Sequence, residues 1–187
     1  MKEKKVSDIN QEYSAMAKTL HWLTAIMILG QYLIGITLDY TEWKSLHFQV
    51  GYIIVILVLW RIIWRVTHVY PELDPQIKGH GRVLAHAGHH TLYLLMVLVL
   101  ISGFLRLITK GEALNILGFN VAPLMDAMSK DERTPYKLAH EYLAHLFILL
   151  IALHVLAAFA HQFLSKIPCL SRMLPKSLAK YIEEKHD

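Results

Sequence analysis

The sequence predicts an all-α integral membrane protein, built as a four-helix bundle. Three observations carry that reading. The first is composition: of 187 residues, 55% are apolar and only 18% charged, and the mean hydropathy is +0.36. The second is the spacing of apolar windows, at 20–38, 48–66, 84–108 and 138–164. About 20 residues of helix cross the hydrocarbon layer, and lipid tolerates little irregular backbone, so each window reads as a spanning helix. The third is the distribution of Lys and Arg, which alternates across the connections.

The elements follow in order. One membrane domain, 1–187, is expected, with helices at approximately 14–39, 43–66, 82–109 and 135–165. Ser14 can cap the first. The charged lead is too long for a cleavable signal, and no small-x-small site follows the apolar run. Thr134-Pro135 reads as the cap and first residue of the fourth helix. Between the third and fourth helices, "LNILGFNVAPLMDAM" reads as a short amphipathic piece on the outer surface.

Orientation follows from the cations. Lys2, Lys4, Lys5, Lys18, Arg61, Arg65, Lys78, Arg82, Lys166, Arg172, Lys176, Lys180 and Lys185 fall on one side. Lys44, Arg106, Lys110, Lys130, Arg133 and Lys137 fall on the other. The richer side is cytoplasmic by the positive-inside rule, so both termini are expected inside a bacterial inner membrane. This asymmetry accounts for the basic pI without nucleic-acid binding. A single cysteine, Cys169, excludes an internal disulfide, and C-x-x-C-H for covalent haem attachment is absent.

Twelve histidines are the unusual feature. His68, His80 and His186 read as solvated. Ionisable groups at membrane depth usually face the bundle interior and carry function. His140 and His154 are 14 residues apart, so at ~100° and 1.5 Å per residue they share a face about 21 Å apart. That is too far for one metal site and suits two. Helix direction puts His47 at the depth of His140, and His21 at the depth of His154. Two facing pairs are what two bis-His haems b require, since iron takes axial nitrogens on both faces of the porphyrin. Four residues after each proposed ligand stand Ala25, Gly51, Ala144 and Ala158, small enough to admit a ring close to the helix. His145, about 140° from His140 on the wheel, reads as structural. His161, with His86, His89 and Arg82 at similar depth, suits a ligand contact or proton relay near the cytoplasmic surface.

"LHWLTA", "LHFQVG", "LAHAGHHTLYLL", "LAHEYLAHLFILLIALHVLAAFAHQF" and "RMLP" resemble the bacterial cytochrome b561 family over about residues 14–175. The resemblance implies axial ligands at His21, His47, His140 and His154. It implies that superoxide gives its electron to the outer haem and that ubiquinone is reduced at the inner one. Lys137 and Lys110 match basic positions of the family and suit the approach of an anion. Lys44 and Arg106 are particular to this chain, and Arg106 is a candidate partner for a haem propionate. His161 is the candidate for the quinone or its protons. Two other classes fit less well. A haem b anchor would pass electrons between quinone and a partner dehydrogenase or periplasmic cytochrome. A histidine-lined metal transporter would need ligands converging at one depth.

Overall fold

The computed structural model describes residues 13–184, with side chains to 182. Lys2, Lys4, Lys5, Lys185 and His186 lie outside the described residues. Four long helices dominate: α1 (Ala15–Ile36), α2 (Lys44–Thr67), α3 (Gly79–Ile108) and α4 (Lys130–Phe159). A π-helical turn, Ala160–Leu164, continues α4, and a short α5 (Lys176–Glu184) follows a 3-10 turn at Ser171–Met173. The spans Ala15–Ile36, Lys44–Thr67, Gly79–Ile108 and Lys130–Leu164 are long and apolar enough to cross a bilayer. The chain is a multi-pass membrane protein.

The helices associate as two hairpins. α1 lies along α2, and α3 along α4, while α2 touches α3 more sparingly. A seam therefore runs between the hairpins. Midway along it Ile54 and Val58 of α2 pack with Leu95 and Met96 of α3 and Phe147 of α4. Phe147 stands seven residues from both His140 and His154, about 10 Å of helix each way. The apolar plug thus divides the seam into two compartments.

Helix bounds lie close to expectation except at the start of α4. Ser14 does cap α1, its Oγ accepting from the Ala17 amide at 3.2 Å. α4, however, does not begin at Thr134-Pro135. Ser129 caps it, with a reciprocal capping box to Glu132, and the Glu132 carboxylate accepts from the Ser129 amide at 2.8 Å. This S-x-x-E signature satisfies two of the amide donors left over at the helix start. Pro135 is carried inside the helix, and Lys130 and Arg133 belong to α4 rather than to a loop.

The expected amphipathic surface piece is instead a β-hairpin. β1 (Leu114–Ile116) pairs antiparallel with β2 (Phe119–Val121). Leu117 and Gly118 make the turn with φ of 50° and 94°, the double positive φ of a tight two-residue connection. Gln49 of α2 pins it. Its Nε2 donates to the Asn115 carbonyl, and its Oε1 accepts from the Leu117 amide, both at 2.9 Å. Gly111, at φ 64°, allows the chain to fold back against Ala127, whose backbone a Cβ would strike. This is the hairpin end of the bundle.

The opposite end, near both termini, is fastened by side chain to backbone bonds. Trp22 Nε1 donates to the Met173 carbonyl at 2.8 Å, and Lys18 Nζ to the Leu174 carbonyl at 3.0 Å. The "RMLP" stretch therefore supplies two acceptors to the start of α1. Gln162 Oε1 accepts from the Leu170 and Ser171 amides, both at 3.1 Å. Burial raises the Cys169 thiol above its ordinary pKa, which leaves it a poor nucleophile.

Candidate functional site

Each compartment of the seam holds imidazoles drawn from both hairpins. At the hairpin end, His47 of α2 faces His140 of α4, ring centroids 6.4 Å apart and planes nearly perpendicular. Both are half-buried. His140 Nδ1 lies 3.1 Å from the Val99 carbonyl and 3.1 Å from Ser102 Oγ. A carbonyl only accepts, so Nδ1 carries the proton and Nε2 keeps its lone pair. That is the tautomer an iron ligand needs, fixed by a hydrogen bond behind it. His47 Nδ1 and Gln31 Oε1 are buried without hydrogen-bond partners.

Glycines make room for both rings. A Cβ at Gly103 would stand 2.8 Å from His140 Cε1, and one at Gly35 would stand 3.3 Å from His47 Cε1. Gly51 lies beside Gln31 of α1. A Cβ there would stand 3.4 Å from Gln31 Nε2, and that nitrogen donates to the His47 carbonyl at 2.7 Å. Gln31 thus ties α1 to α2 beside His47. Gly35 and Gly103 sit opposite the histidines on neighbouring helices, where spacing along one helix cannot point.

Toward the termini, His21 of α1 lies within electrostatic reach of His154 of α4 and of His89 of α3. His89 packs edge-on against His154, with centroids 5.3 Å apart. His89 Nδ1 donates to the Ala85 carbonyl at 2.8 Å. His89 is also within electrostatic reach of His86, in keeping with their similar depth, and its ring contact sets it beside His154. Arg82 pairs instead with Glu72 at 3.9 Å on the surface. Among the described residues, no three His, Cys, Asp or Glu side chains converge to hold a single ion.

His161 sits in the π-helical turn with its Nδ1 buried and without a hydrogen-bond partner. Its carbonyl accepts from the Ile167 amide at 2.8 Å. Such turns recur at functional sites. His145 is exposed and is held through Nδ1 by the Tyr32 hydroxyl at 2.9 Å.

Basic residues gather at the hairpin end in two sets. Glu141 takes Arg106 at 3.4 Å and Lys137 at 3.8 Å. Arg106 is therefore already partnered by a carboxylate. Lys110 instead lies over the Phe48 ring, 5.1 Å from its centroid, and beside Lys44. Partial burial, and then the neighbouring Lys44 charge, pull Lys110 down to a pKa of about 8.

The residues present fit haem ligation most fully at His47 and His140, while Arg61 engages His21 Nδ1 at 2.7 Å. His47 and His140 face one another across the seam, His21 lies within electrostatic reach of His154, the His140 tautomer is set, and glycine clears the space around two of the rings. His47 and His140 would hold one haem, and His21 and His154 the other.

Comparison with known proteins agrees with this architecture. The family model for prokaryotic cytochrome b561 matches residues 12–176. The chain is 30% identical over 179 residues to "Cytochrome b561 homolog 2" of Escherichia coli (strain K12), covering 91% of this chain and 95% of the relative. It is 30% identical over 174 residues to "Probable superoxide oxidase CybB" of Yersinia pestis, covering 90% and 98%. It is 25% identical over 168 residues to "Cytochrome b561 homolog 1" of the same Escherichia coli strain, covering 84% and 93%. The chain belongs to the prokaryotic cytochrome b561 family, as a multi-pass membrane electron-transfer protein.

Proposed function

We propose that this protein oxidises superoxide at the outer membrane face and reduces ubiquinone at the inner one, as a superoxide:ubiquinone oxidoreductase. Two superoxide anions each lose one electron and leave as dioxygen. One quinone gains two electrons and two protons and leaves as quinol. Haem b, bound at His47/His140 and at His21/His154, supplies one-electron transfer between the two faces.

The observation that carries the reading is the His47–His140 pair beside the Lys44–Lys110 cations. Lys110 and Lys44 attract a small anion to the hairpin end, where their like charges raise the local potential even with Glu112 within electrostatic reach of Lys110. Val99 and Ser102 hold His140 in one tautomer. His161, near the termini, has a buried Nδ1 without a hydrogen-bond partner and is the candidate to meet the quinone or carry its protons. The 30% identity to a protein named as a probable superoxide oxidase points the same way.

The test adds superoxide and ubiquinone to the purified protein and follows haem reduction and quinol formation together. Stoichiometric quinol with dioxygen release is expected. Rapid haem reduction by a quinol, with no reaction toward superoxide, would favour a haem b anchor that docks a redox partner.

The orientation is that of the positive-inside rule, with both termini in the cytoplasm of an inner-membrane protein. A reporter joined after Asp187 should fluoresce if it folds only in the cytoplasm, and alkaline phosphatase there should be inactive. Strong phosphatase activity would exchange the two faces.

A further inference from the structure

We infer that Arg61 is the counter-ion for a propionate of the haem held at His21 and His154. The inference rests on the ligand reading above and adds a residue that reading leaves unassigned. Arg61 lies within the span of α2, half-buried, with Nη2 2.7 Å from His21 Nδ1. Its guanidinium carbon stands 5.5 Å from the Tyr93 ring centroid.

The chemistry of the contact is one-sided. A guanidinium only donates, so His21 Nδ1 must accept. A neutral His21 then carries its proton on Nε2, and both nitrogens are committed. Ligation through Nε2 requires that proton to move to Nδ1, which ends the bond from Arg61. Ligation through Nδ1 uses the same lone pair and ends it too. His140 is the opposite case, with Nδ1 donating to Val99 and Nε2 free. His21 can therefore serve as a ligand only if Arg61 turns to something else.

That something must be an anion at the same depth. A cation within a membrane span is costly without a partner. Among the described residues no carboxylate lies within ion-pair distance of Arg61; the three ion pairs join Arg82 to Glu72, and Arg106 and Lys137 to Glu141. Arg106, which the sequence suggested for a propionate, has Glu141. Arg65 covers the Tyr70 ring, 3.3 Å from its centroid. Haem b brings two carboxylates of its own, and a guanidinium matches a carboxylate with two parallel hydrogen bonds. One movement of Arg61 then releases His21 and neutralises the propionate.

The test compares wild type, Arg61→Gln and Arg61→Lys as purified holoproteins, with a redox titration resolving the two haems. Arg61→Gln should favour the oxidised form of the His21/His154 haem about tenfold, a fall of about 59 mV for one electron. It should speed transfer of that haem to excess apomyoglobin about tenfold. Arg61→Lys should restore most of the potential, because the cation stays, but less of the retention, because the paired donors are lost. The other haem should move little in either variant. If Arg61→Gln does not accumulate, Arg61→Lys alone decides, since faster haem loss at near-normal potential is required of it. Two haems with unchanged potential and retention in the variants, or a shift confined to the His47/His140 haem, would overturn the inference. Fewer than two haems in wild type would instead defeat the ligand reading beneath it.

Discussion

Replacing His140 with alanine should lower the haem content of the purified protein from two per chain to one. His47→Ala should do the same, because each supplies one face of a single site. The remaining haem, at His21 and His154, should keep its low-spin spectrum, since the plug of Ile54, Val58, Leu95, Met96 and Phe147 separates the compartments. Gly103→Val should resemble His140→Ala although it removes no ligand. Even the first carbon added there stands 2.8 Å from His140 Cε1, so the ring must leave its place between Val99 and His47. Gly30→Ala is the control, because a Cβ at Gly30 meets nothing within 4 Å and alanine favours the helix. A pyridine haemochrome assay, with spectra of the residual haem, distinguishes these outcomes. Two haems in His140→Ala, or one in wild type, would refute the pairing.

The parts of this site that the sequence makes legible are those that repeat along one helix. The 14 residues from His140 to His154 return to one face, and the helix directions then match His47 and His21 to them by depth. What periodicity could not supply lies on other helices. Gly35 and Gly103 matter because of the ring opposite them, and their own helices carry no mark of it. The contact of His89 with His154 depends on which side of α3 it occupies, and depth alone does not say that. Arg61 counted as a boundary cation, and only its contact with His21 reveals a role. Two local signals were present and misread. Ser129-x-x-Glu132 outweighed Thr134-Pro135, because a capping box supplies hydrogen bonds that a proline merely does without. Leu117-Gly118 lacks the usual Asn-Gly of a tight hairpin, so β1 and β2 read only as a short amphipathic surface piece.

The two sets of cations at the hairpin end should separate by salt and pH. Lys137 and Arg106 share Glu141, so an arriving anion meets Lys137 only through the net field. Lys137→Gln should slow haem reduction by superoxide at low salt and make little difference at physiological salt, where the Debye length is about 8 Å. Glu141→Gln should speed it under the same low-salt conditions. Lys110 forms no ion pair of that kind among the described residues: it lies over Phe48, next in sequence to His47, with Lys44 at its side and Glu112 acting on it only at longer range. Lys110→Gln should lower the second-order rate roughly tenfold, the low end of the range by which charged clefts raise association rates, and part of the loss should persist at high salt. The pH dependence has a fixed sign. With its pKa held down at about 8, the Lys110 ammonium is present below that pH and lost above it, so the wild-type rate should fall as pH rises through about 8. Lys110→Gln should flatten that step. Lys110→Arg should remove it while keeping the rate, because a guanidinium stays charged beyond pH 12. A step of unchanged size in Lys110→Arg would assign the titration to another group and take Lys110 out of the anion's path.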